Sequence, residues 1–461
     1  MTEEKLSWKF PREFWTANFM ELCERAAYYG FYVLLTVYLT DIIDFTDIWA
    51  NTIAGFFAAI LYLLPPFSGA IGDRIGFKNG LILAFGLCSI GYFFLGVFTS
   101  KPAVLFFLTV LMVGASFIKP LITGTVAKTT NEANRARAFA LFYWVVNIGA
   151  FSGKTFVPWI RKGLGLEYIN FFSAGMCVLA LIFAFFFFKE MEAKEERKSF
   201  KEVFTALGKI LTSARLMTLT VIIAGFWMIQ SQLYASMPKF VLRTVGTDAN
   251  PSWLANVNPF VVVVFVVVVT QLMRKHSAVT SMFIGMLIMP LSAFSMSLGP
   301  WLQGLAGNEI GFIGGLIFHP FTIMMIVGIS LQGLAECFIS PRFLEYFSFM
   351  APKGEEGVYL GFSHLHSFIS YSIGGVLSGF LLSKYCPDPK TLLSPELLKQ
   401  VTEHGADAKS LLTAEQFALH YANAHYIWYY FAAIGLAAAI ALLIFKYVTE
   451  KIDAKAGAAA E

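Results

Sequence analysis

Charged residues are scarce in this sequence: Asp, Glu, Lys and Arg make up only 14% of its 461 residues, against roughly 25% in soluble domains. Hydrophobic residues make up 57%, and 48 residues are phenylalanine. A soluble protein with a large core would still need a charged surface, so this deficit indicates a chain surrounded by a lipid bilayer. The net charge of +4 is too small to indicate a nucleic-acid partner, and none is expected.

Cysteine is also scarce and shows no paired spacing. None of the five cysteines forms a CxxC pattern, and four lie inside apolar runs, where a free cysteine behaves as a small hydrophobic residue. No disulfide, metal site or cofactor is therefore predicted. HExxH, GxSxG and a nucleotide-binding P-loop are absent as well, which argues against enzymes with those motifs and against ATP as an energy source. The polar first residues, Met1 to Arg12, do not resemble a cleaved signal peptide.

A membrane-embedded enzyme is the alternative from a different class. Its metal ligands would have to be His364, His366 and Glu336, because no other group of residues in the sequence suits a metal. An HxH pair on one helix has poor geometry for that purpose. We therefore expect neither catalytic residues nor enzyme activity.

Apolar runs of about twenty residues recur along the whole chain, which is the length that an α-helix needs to cross a hydrocarbon layer of about 30 Å. Lipid offers no partner for free backbone groups, so each run must be helical. The sequence predicts about twelve spans, near residues 14–40, 50–71, 79–99, 103–128, 137–160, 167–188, 216–243, 253–273, 278–299, 311–341, 357–383 and 421–447.

Lysine and arginine are concentrated in alternate connections between these spans. About 22 lysines and arginines lie in connections on the same side of the membrane as the N-terminus, and about 9 lie on the other side. The positive-inside rule therefore predicts that both termini are cytoplasmic. The charged run 189–215 predicts a cytoplasmic linker between two six-helix bundles, residues 1–188 and 216–461. Residues 385–420 are polar and are predicted to form an extracellular insertion in the second bundle.

The first span carries ionisable residues at helical spacing. Glu21, Glu24, Arg25 and Tyr28 follow one another at intervals that place them on one face of a helix. Each charged residue at mid-membrane costs about 2.5–3.5 kcal/mol on translocon scales, and pairing of Arg25 with a carboxylate beside a wet cavity would reduce this cost. A carboxylate that is alternately paired and released suits proton coupling. The alternative is a permanent ion pair that locks helices together.

Single polar residues interrupt other spans. Lys119 is a lone cation in an apolar helix, and Glu336 lies in the middle of the long tenth span. Lys119 could instead extend its ammonium group to the inner surface, and Glu336 could be a neutral acid hydrogen-bonded between helices. Asn147 and Asn258 could contact a substrate backbone, or they could hold helices together.

Several segments together resemble the proton-dependent oligopeptide transporters, a branch of the major facilitator superfamily. The first span resembles the ExxER-x-x-YYG signature, and ILYLLPPFSGAIGDRIG resembles the Tyr-bearing second helix and its G-x-x-x-D-R loop. GASFIKPLI and FALFYWVVNIGAFSG resemble G-x-G-x-x-K-P and F-Y-x-x-x-N-x-G. ANVNPF and AECFISPRFLEYFSFMAPK resemble the N-P-F and E-x-x-x-S-P…A-P segments. The G-x-x-x-D-R loop is common to the superfamily, so the other motifs carry the specificity.

This resemblance implies an all-α membrane protein with the twelve-helix major facilitator fold, in which two six-helix bundles are related by pseudo-two-fold symmetry. It implies proton-coupled symport of small peptides or peptide-like zwitterionic solutes across the plasma membrane by alternating access, and a monomer is expected. The residues implied in proton coupling are Glu21, Glu24, Arg25, Lys119 and Glu336. Those implied in substrate binding are Arg25, Tyr28, Tyr29, Tyr62, Lys119, Asn147, Asn258, Glu336 and His364. Asp73 and Arg74 would latch cytoplasmic helix ends as a gate.

The sequence departs from the family pattern in the seventh, first and eleventh spans. The seventh has Gln230 and Gln232 where the family usually places an acidic residue, and the first has Tyr32 where many members carry arginine. The eleventh has His364 and His366, which would point about 200° apart on a helix. One histidine could titrate near neutral pH and replace the missing acid, or both could be packing residues. These differences put ordinary di- and tripeptides in doubt as the substrate, and proton-exchange efflux of drugs or metabolites is the alternative function.

Overall fold

The computed structural model describes residues 10–130, 134–190, 200–246, 249–311, 316–350, 362–404 and 406–458. The helices of the N-terminal part are α1 Arg12–Tyr32, α2 Leu35–Asp41, α3 Asp47–Leu63, α4 Pro65–Ile75, α5 Phe77–Val97, α6 Lys101–Lys128, α7 Arg135–Gly163, α8 Tyr168–Phe186 and α9 Phe200–Thr212. Those that follow are α10 Ala214–Gln230, α11 Met237–Thr244, α12 Pro251–Leu254, α13 Val257–Met273, α14 Ala278–Met296, α15 Gly299–Ala306, α16 Pro320–Met350, α17 Leu365–Tyr385, α18 Pro395–His404, α19 Ala414–Tyr421 and α20 Tyr426–Ala458.

Among the residues that the structure describes, one small β-hairpin interrupts this helical structure. Strand β1, Ile310–Gly311, pairs antiparallel with β2, Ile317–Phe318. The hairpin lies inside the predicted tenth span, 311–341, so the helix of that span begins later than predicted, at Pro320. The delayed start is consistent with proline at the first helical position, where its missing N–H costs nothing.

Nine segments of the described chain are long and apolar enough to cross a membrane, and ten if the bent pair α3–α4 counts as one span. The bend of 48° in that pair lies next to Pro65, which cannot donate a helical hydrogen bond. The other two predicted spans correspond to α1 and α7. Both carry polar residues within the span, and they are therefore less apolar than the rest.

Two predicted spans are broken rather than continuous. The first, 14–40, is interrupted by a turn between α1 and α2, and the seventh, 216–243, changes into a short 3-10 helix at Ser231–Leu233 before α11 begins. Pro238 lies in the first turn of α11, where proline is tolerated.

The chain forms two compact units. The first contains Met1–Asp44 and Phe57–Lys209, and the second contains Phe45–Phe56 and Ile210–Glu461. The predicted boundary at the 189–215 linker stays a prediction. In the first unit, α1 packs closely on α7: a side chain on Gly153 would overlap the carbonyl oxygen of Ala26, and one on Gly149 would lie 2.7 Å from that of Leu22. Close backbone approach therefore fixes the position of α1.

The second unit is organised around the long helix α16, which packs on α13 and α14. A β-carbon on Gly333 would lie 3.0 Å from the carbonyl oxygen of Asn258, and one on Gly285 would lie 2.8 Å from that of Ala335. Glycine thus allows α16 to approach α13 closely at Gly333. This close packing places the polar residues of the two helices within reach of one another.

A buried ion cluster joins three segments of the second unit. Lys239 Nζ donates to Asp47 Oδ1 at 2.8 Å, and Arg243 donates to both carboxylate oxygens at 2.6 and 2.9 Å. Arg243 also donates to the carbonyl oxygen of Cys386 at 2.7 Å. The exposed fractions of Asp47, Lys239 and Arg243 are only 5%, 2% and 6%. The start of α3, α11 and the end of α17 are therefore held together by charge-assisted hydrogen bonds.

Candidate functional site

The central feature of the first unit is a buried ion cluster on α1. Arg25 Nε lies 3.3 Å from Glu21 Oε1 and also donates to Glu24 Oε2. Glu21 and Glu24 are 2% and 4% exposed, whereas Arg25 keeps 16% of its side chain accessible. Helical spacing brings the three residues to one face, as the sequence predicts. We call Glu21, Glu24 and Arg25, together with Lys119 of α6, the α1 cluster.

One oxygen of this cluster is incompletely satisfied. Glu21 Oε2 is buried and has no hydrogen-bond partner among the described residues. A buried carboxylate oxygen without a partner is costly when it is charged, and the cost is lower when the carboxyl group is protonated and neutral. The geometry therefore makes Glu21 suited to binding a proton.

Lys119 lies close enough to interact electrostatically with Glu21, Glu24 and Arg25. It forms no direct ion pair with them in the part of the chain that the structure describes. Its side chain is exposed, unlike those of the two glutamates. Lys119 thus presents an accessible ammonium group beside carboxylates that are already paired with Arg25.

Tyrosine rings surround the Arg25 end of the cluster. The guanidinium carbon of Arg25 lies 5.4 Å from the ring centroid of Tyr28 and 5.8 Å from that of Tyr29. Tyr28 stacks on Tyr32 at 5.2 Å with an angle of 12° between the rings, and Tyr62 interacts electrostatically with both. Three of these tyrosines are predicted site residues, and the structure brings them together in the first unit.

Lys154 of α7 is a residue that sequence reasoning missed. Its side chain is 1% exposed, and its Nζ lies 5.4 Å from the ring centroid of Tyr29. The position follows Gly153, where α7 lies closest to α1. A signal was present, because Lys154 is an ionisable residue inside the predicted fifth span, 137–160, and such residues are rare and mostly functional.

The second unit carries an acidic site on α16. Gln230 Nε2 and Asn258 Nδ2 both donate to Glu336 Oε2, at 3.0 and 3.3 Å. Glu336 is half-buried, while Gln230 and Asn258 are 5% and 8% exposed. Two amide donors from α10 and α13 thus orient this carboxylate. Gln230 stands at the position in the seventh span where the family usually places an acidic residue. Its amide donates a hydrogen bond to Glu336, whereas a carboxylate side chain at this position would repel Glu336.

The two histidines lie closer together than helical spacing predicts. Their ring centroids are 6.0 Å apart, because His364 lies in the turn before α17 and only His366 is helical. The expectation that they point about 200° apart is therefore wrong. The His366 ring stacks on Trp227 at 5.3 Å and meets Phe343 edge-on at 4.9 Å, so it is a buried packing residue.

The remaining predicted site residues have simpler surroundings. Asn147 Nδ2 donates to the carbonyl oxygen of Tyr143, one turn earlier on α7, at 2.8 Å. Arg74 is exposed in the last turn of α4, and the side chain of Asp73 lies outside the described residues. Within the ranges that the structure describes, no group of three or more His, Cys, Asp or Glu side chains could hold a metal ion.

Comparison with known proteins places this geometry in a family. The profile of the Major Facilitator Superfamily matches residues 17–308. Dipeptide and tripeptide permease B of Photorhabdus asymbiotica subsp. asymbiotica is 23% identical over 431 residues, which cover 80% of this chain and 87% of the permease. Multidrug resistance protein MdtH of Photorhabdus laumondii subsp. laumondii is 23% identical over 358 residues, which cover 76% of this chain and 83% of MdtH.

Among solved structures, a POT family transporter in complex with 5-aminolevulinic acid has a TM-score of 0.70 and 19% identity to this chain. The likeness covers 96% of this chain and 97% of that chain. The predicted all-α, twelve-helix major facilitator fold is therefore confirmed, and so is the resemblance to the oligopeptide transporter branch. The protein is a multi-pass membrane transporter and not an enzyme. This chain belongs to the Major Facilitator Superfamily.

Proposed function

We propose that this transporter is a proton-coupled symporter of small peptides or peptide-like zwitterionic solutes. It would work as a monomer in the cell membrane, with both termini in the cytoplasm. The observation that carries the proposal is the α1 cluster, in which Arg25 is shared by Glu21 and Glu24. Placing three ionisable side chains so close together in a membrane helix is costly, and a structural ion pair would need only two of them.

The proton would enter at Glu21. Its unpartnered Oε2 can take a proton without breaking a hydrogen bond, and the protonated carboxyl group no longer attracts Arg25 as an ion. The guanidinium group then becomes available to a substrate carboxylate, which it can bind through two parallel N–H···O bonds. The exposed ammonium group of Lys119 would bind the same carboxylate.

The second unit carries the residue proposed to bind the substrate ammonium group. The Glu336 carboxylate, oriented by Gln230 and Asn258, would take the ammonium group. Asn258 would also contact the peptide backbone, as would Asn147 in the first unit. Tyr28, Tyr29, Tyr62 and His364 would line the substrate. Asp73 and Arg74 would latch the cytoplasmic helix ends of the bundle formed by residues 1–188.

The membrane potential sets the expected accumulation of substrate. One proton that crosses a potential of 100 mV supplies about 2.3 kcal/mol. Since a tenfold concentration ratio corresponds to about 1.4 kcal/mol, symport of one proton with a zwitterion can support roughly 50-fold accumulation. Passive transport supports none.

Proteoliposomes test this proposal directly. The purified protein is reconstituted, an inside-negative potential is imposed with potassium and valinomycin, and uptake of a labelled dipeptide is followed with and without an inward pH gradient. Accumulation above the external concentration that a protonophore abolishes is the expected result. Uptake that stops at equal concentrations on both sides would refute symport, and absence of binding or uptake of any peptide would refute the substrate class.

Proton-exchange efflux is the second candidate, and the similarity to multidrug resistance protein MdtH favours it. Such an exchanger would move its substrate against the direction of proton flow. In the same vesicles, an outward proton gradient would then drive accumulation, while an inward gradient would deplete the lumen. The direction of the response therefore separates the two functions.

A further inference from the structure

The turn between α13 and α14 exposes three basic side chains in succession. Arg274, Lys275 and His276 are all exposed, and their side chains form no hydrogen bond or ion pair in the part of the chain that the structure describes. The long helix α16 packs against this end of α13, and its acidic residue Glu345 is paired with Arg342 at 2.7 Å. The turn therefore carries positive charge that no described carboxylate balances.

The backbone of this turn is held at both ends. The His276 N–H donates to the carbonyl oxygen of Met273 at 3.0 Å, and the Ser277 hydroxyl accepts from the Thr280 N–H at 3.2 Å as the N-cap of α14. Met273 is 3% exposed and belongs to the same core cluster as Phe338 of α16. The exposed basic side chains are thus attached to a well-anchored segment.

The face of α13 that leads to this turn changes from apolar to polar along its length. Intervals of four, three and four residues place the following side chains in one line on the helix: Val263, Val267, Thr270 and Arg274. Val263 and Val267 are 48% and 66% exposed, and Arg274 keeps helical backbone angles as the C-cap. At 1.5 Å per residue the line spans about 16 Å, which is close to half of a hydrocarbon layer of about 30 Å.

A shallow groove lies on the same face, just before the basic turn. Its volume is about 150 Å³, and it is lined by Val266, Val267, Thr270 and Gln271. The Thr270 hydroxyl and the Gln271 side-chain amide form no hydrogen bond with the described residues. Polar groups without partners are costly next to hydrocarbon, whereas the ester and glycerol oxygens of a phospholipid would accept hydrogen bonds from both.

We propose that this surface binds an anionic phospholipid, and we call it the α13 lipid site, formed by Val263, Val267, Thr270, Gln271, Arg274 and Lys275. One acyl chain lies along the two valines, the ester and glycerol region contacts Thr270 and Gln271, and the phosphate accepts hydrogen bonds from the two cations. The order of side chains along the helix therefore matches the order of chemical groups in the lipid.

Charge complementarity favours an anionic headgroup over a zwitterionic one. A zwitterionic headgroup carries its own ammonium or choline group, which would lie close to Arg274 and Lys275 and offset the attraction of the phosphate. Each lysine or arginine near an anionic membrane surface strengthens binding about fivefold. The distribution of lysine and arginine predicts that this turn is cytoplasmic, and the cytoplasmic leaflet contains anionic lipid.

The test uses the full chain purified in detergent. The protein is titrated with phosphatidylglycerol, with phosphatidylcholine and with inorganic phosphate, bound lipid is counted by native mass spectrometry, and hydrogen exchange of the amides of residues 274–280 locates the site. Phosphatidylglycerol should bind at about tenfold lower concentration than phosphatidylcholine and should slow exchange in 274–280.

Three results in the wild-type protein would overturn the proposal. The first is equal binding of the two lipids, and the second is binding of phosphatidylglycerol without slower exchange in 274–280. The third is equal protection by inorganic phosphate at the same concentration, because a phosphate site that needs no acyl chain is not a lipid site.

Substitutions then assign the preference to the turn. Arg274→Gln combined with Lys275→Gln should bring the ratio of the two lipid affinities to within about twofold of one. Lys451→Gln combined with Lys455→Gln is the matched control, because it removes two exposed positive charges from the end of α20 and should keep the wild-type ratio. Equal losses in both double variants would show a diffuse attraction instead of a site.

This proposal is independent of the proposed function, because lipid binding is measured without transport. All the substituted side chains are exposed, so the variants should fold. If the glutamine variant of the turn does not fold, the wild-type lipid comparison and the located exchange still decide the matter.

Discussion

Asp47 offers a quantitative prediction, since its carboxylate is the counter-ion of two buried cations. The substitution Asp47→Asn keeps the size of the side chain and removes its charge. Lys239 and Arg243 then remain buried, at 2% and 6% exposure, with carbonyl and amide oxygens in place of the carboxylate. Removal of one partner of a buried ion pair typically costs about 3–5 kcal/mol.

The geometry favours the lower end of that range. The asparagine side chain keeps one oxygen acceptor, so it retains part of the three hydrogen bonds at 2.6, 2.8 and 2.9 Å. Arg243 also keeps its bond to the carbonyl oxygen of Cys386. We expect a loss of about 3 kcal/mol. Because 1 kcal/mol corresponds to about 2–4 °C for a domain of 150–250 residues, the melting temperature should fall by at least about 6 °C.

A thiol-reactive dye in detergent solution provides the assay, because all five cysteines are free and buried and react only when the protein unfolds. Asp388→Asn is the matched control. Asp388 lies 3.6 Å from Arg243 and its side chain is 17% exposed, against 4% for Asp47. Because the ion pair of Asp388 with Arg243 is longer and more exposed to solvent, it should contribute at most about 1 kcal/mol to stability.

A charge-neutral variant tests whether uncompensated buried charge causes the loss of stability in Asp47→Asn. Replacement of Asp47 by Asn together with Lys239→Met and Arg243→Met removes all three charges, so it should be more stable than Asp47→Asn alone. If Asp47→Asn melts within 2 °C of the wild-type protein, or if the triple variant is the least stable of the set, the reasoning about uncompensated buried charge is wrong.

Two further predictions concern packing and capping in the first unit. Gly153→Ala should reduce the yield of monodisperse protein severalfold, because the new side chain overlaps the α1 backbone. Gly163→Ala, at the end of the same helix, places its side chain in open space and should behave as wild type. Equal yields of the two variants would contradict the close packing of α7 on α1. Glu190 accepts a hydrogen bond from the backbone N–H of Phe77 at 2.8 Å. Glu190→Gln should therefore destabilise the start of α5 by about 1 kcal/mol and speed amide hydrogen exchange there about fivefold. Unchanged exchange would show that this contact does not stabilise the helix.

The part of the site that could be predicted from sequence is the part that depends on local spacing. Glu21, Glu24 and Arg25 belong to one helix, and their intervals of three and four residues fix their common face. Lys119 and Glu336 stand out because a single ionisable residue in a long apolar run has few explanations other than function. These inferences needed only the helical period and the length of the spans.

Other contacts depend on residues far apart in the chain. Lys239 and Asp47 are separated by 192 positions, and helical periodicity carries no information about which helices become neighbours. The sequence therefore does not predict this ion pair. The histidine prediction failed for a local reason: it assumed an unbroken helix, whereas His364 precedes the first residue of α17.

The central claim is that the α1 cluster couples proton movement to transport, and Glu21→Gln tests it most directly. Counterflow exchange, which needs no net proton movement, and potential-driven accumulation of labelled substrate are measured in the same proteoliposomes. Glu13→Gln, in the first turn of the same helix, serves as the control. The account predicts that Glu21→Gln retains exchange and loses accumulation, from roughly 50-fold to no gradient. Wild-type accumulation in this variant would contradict it.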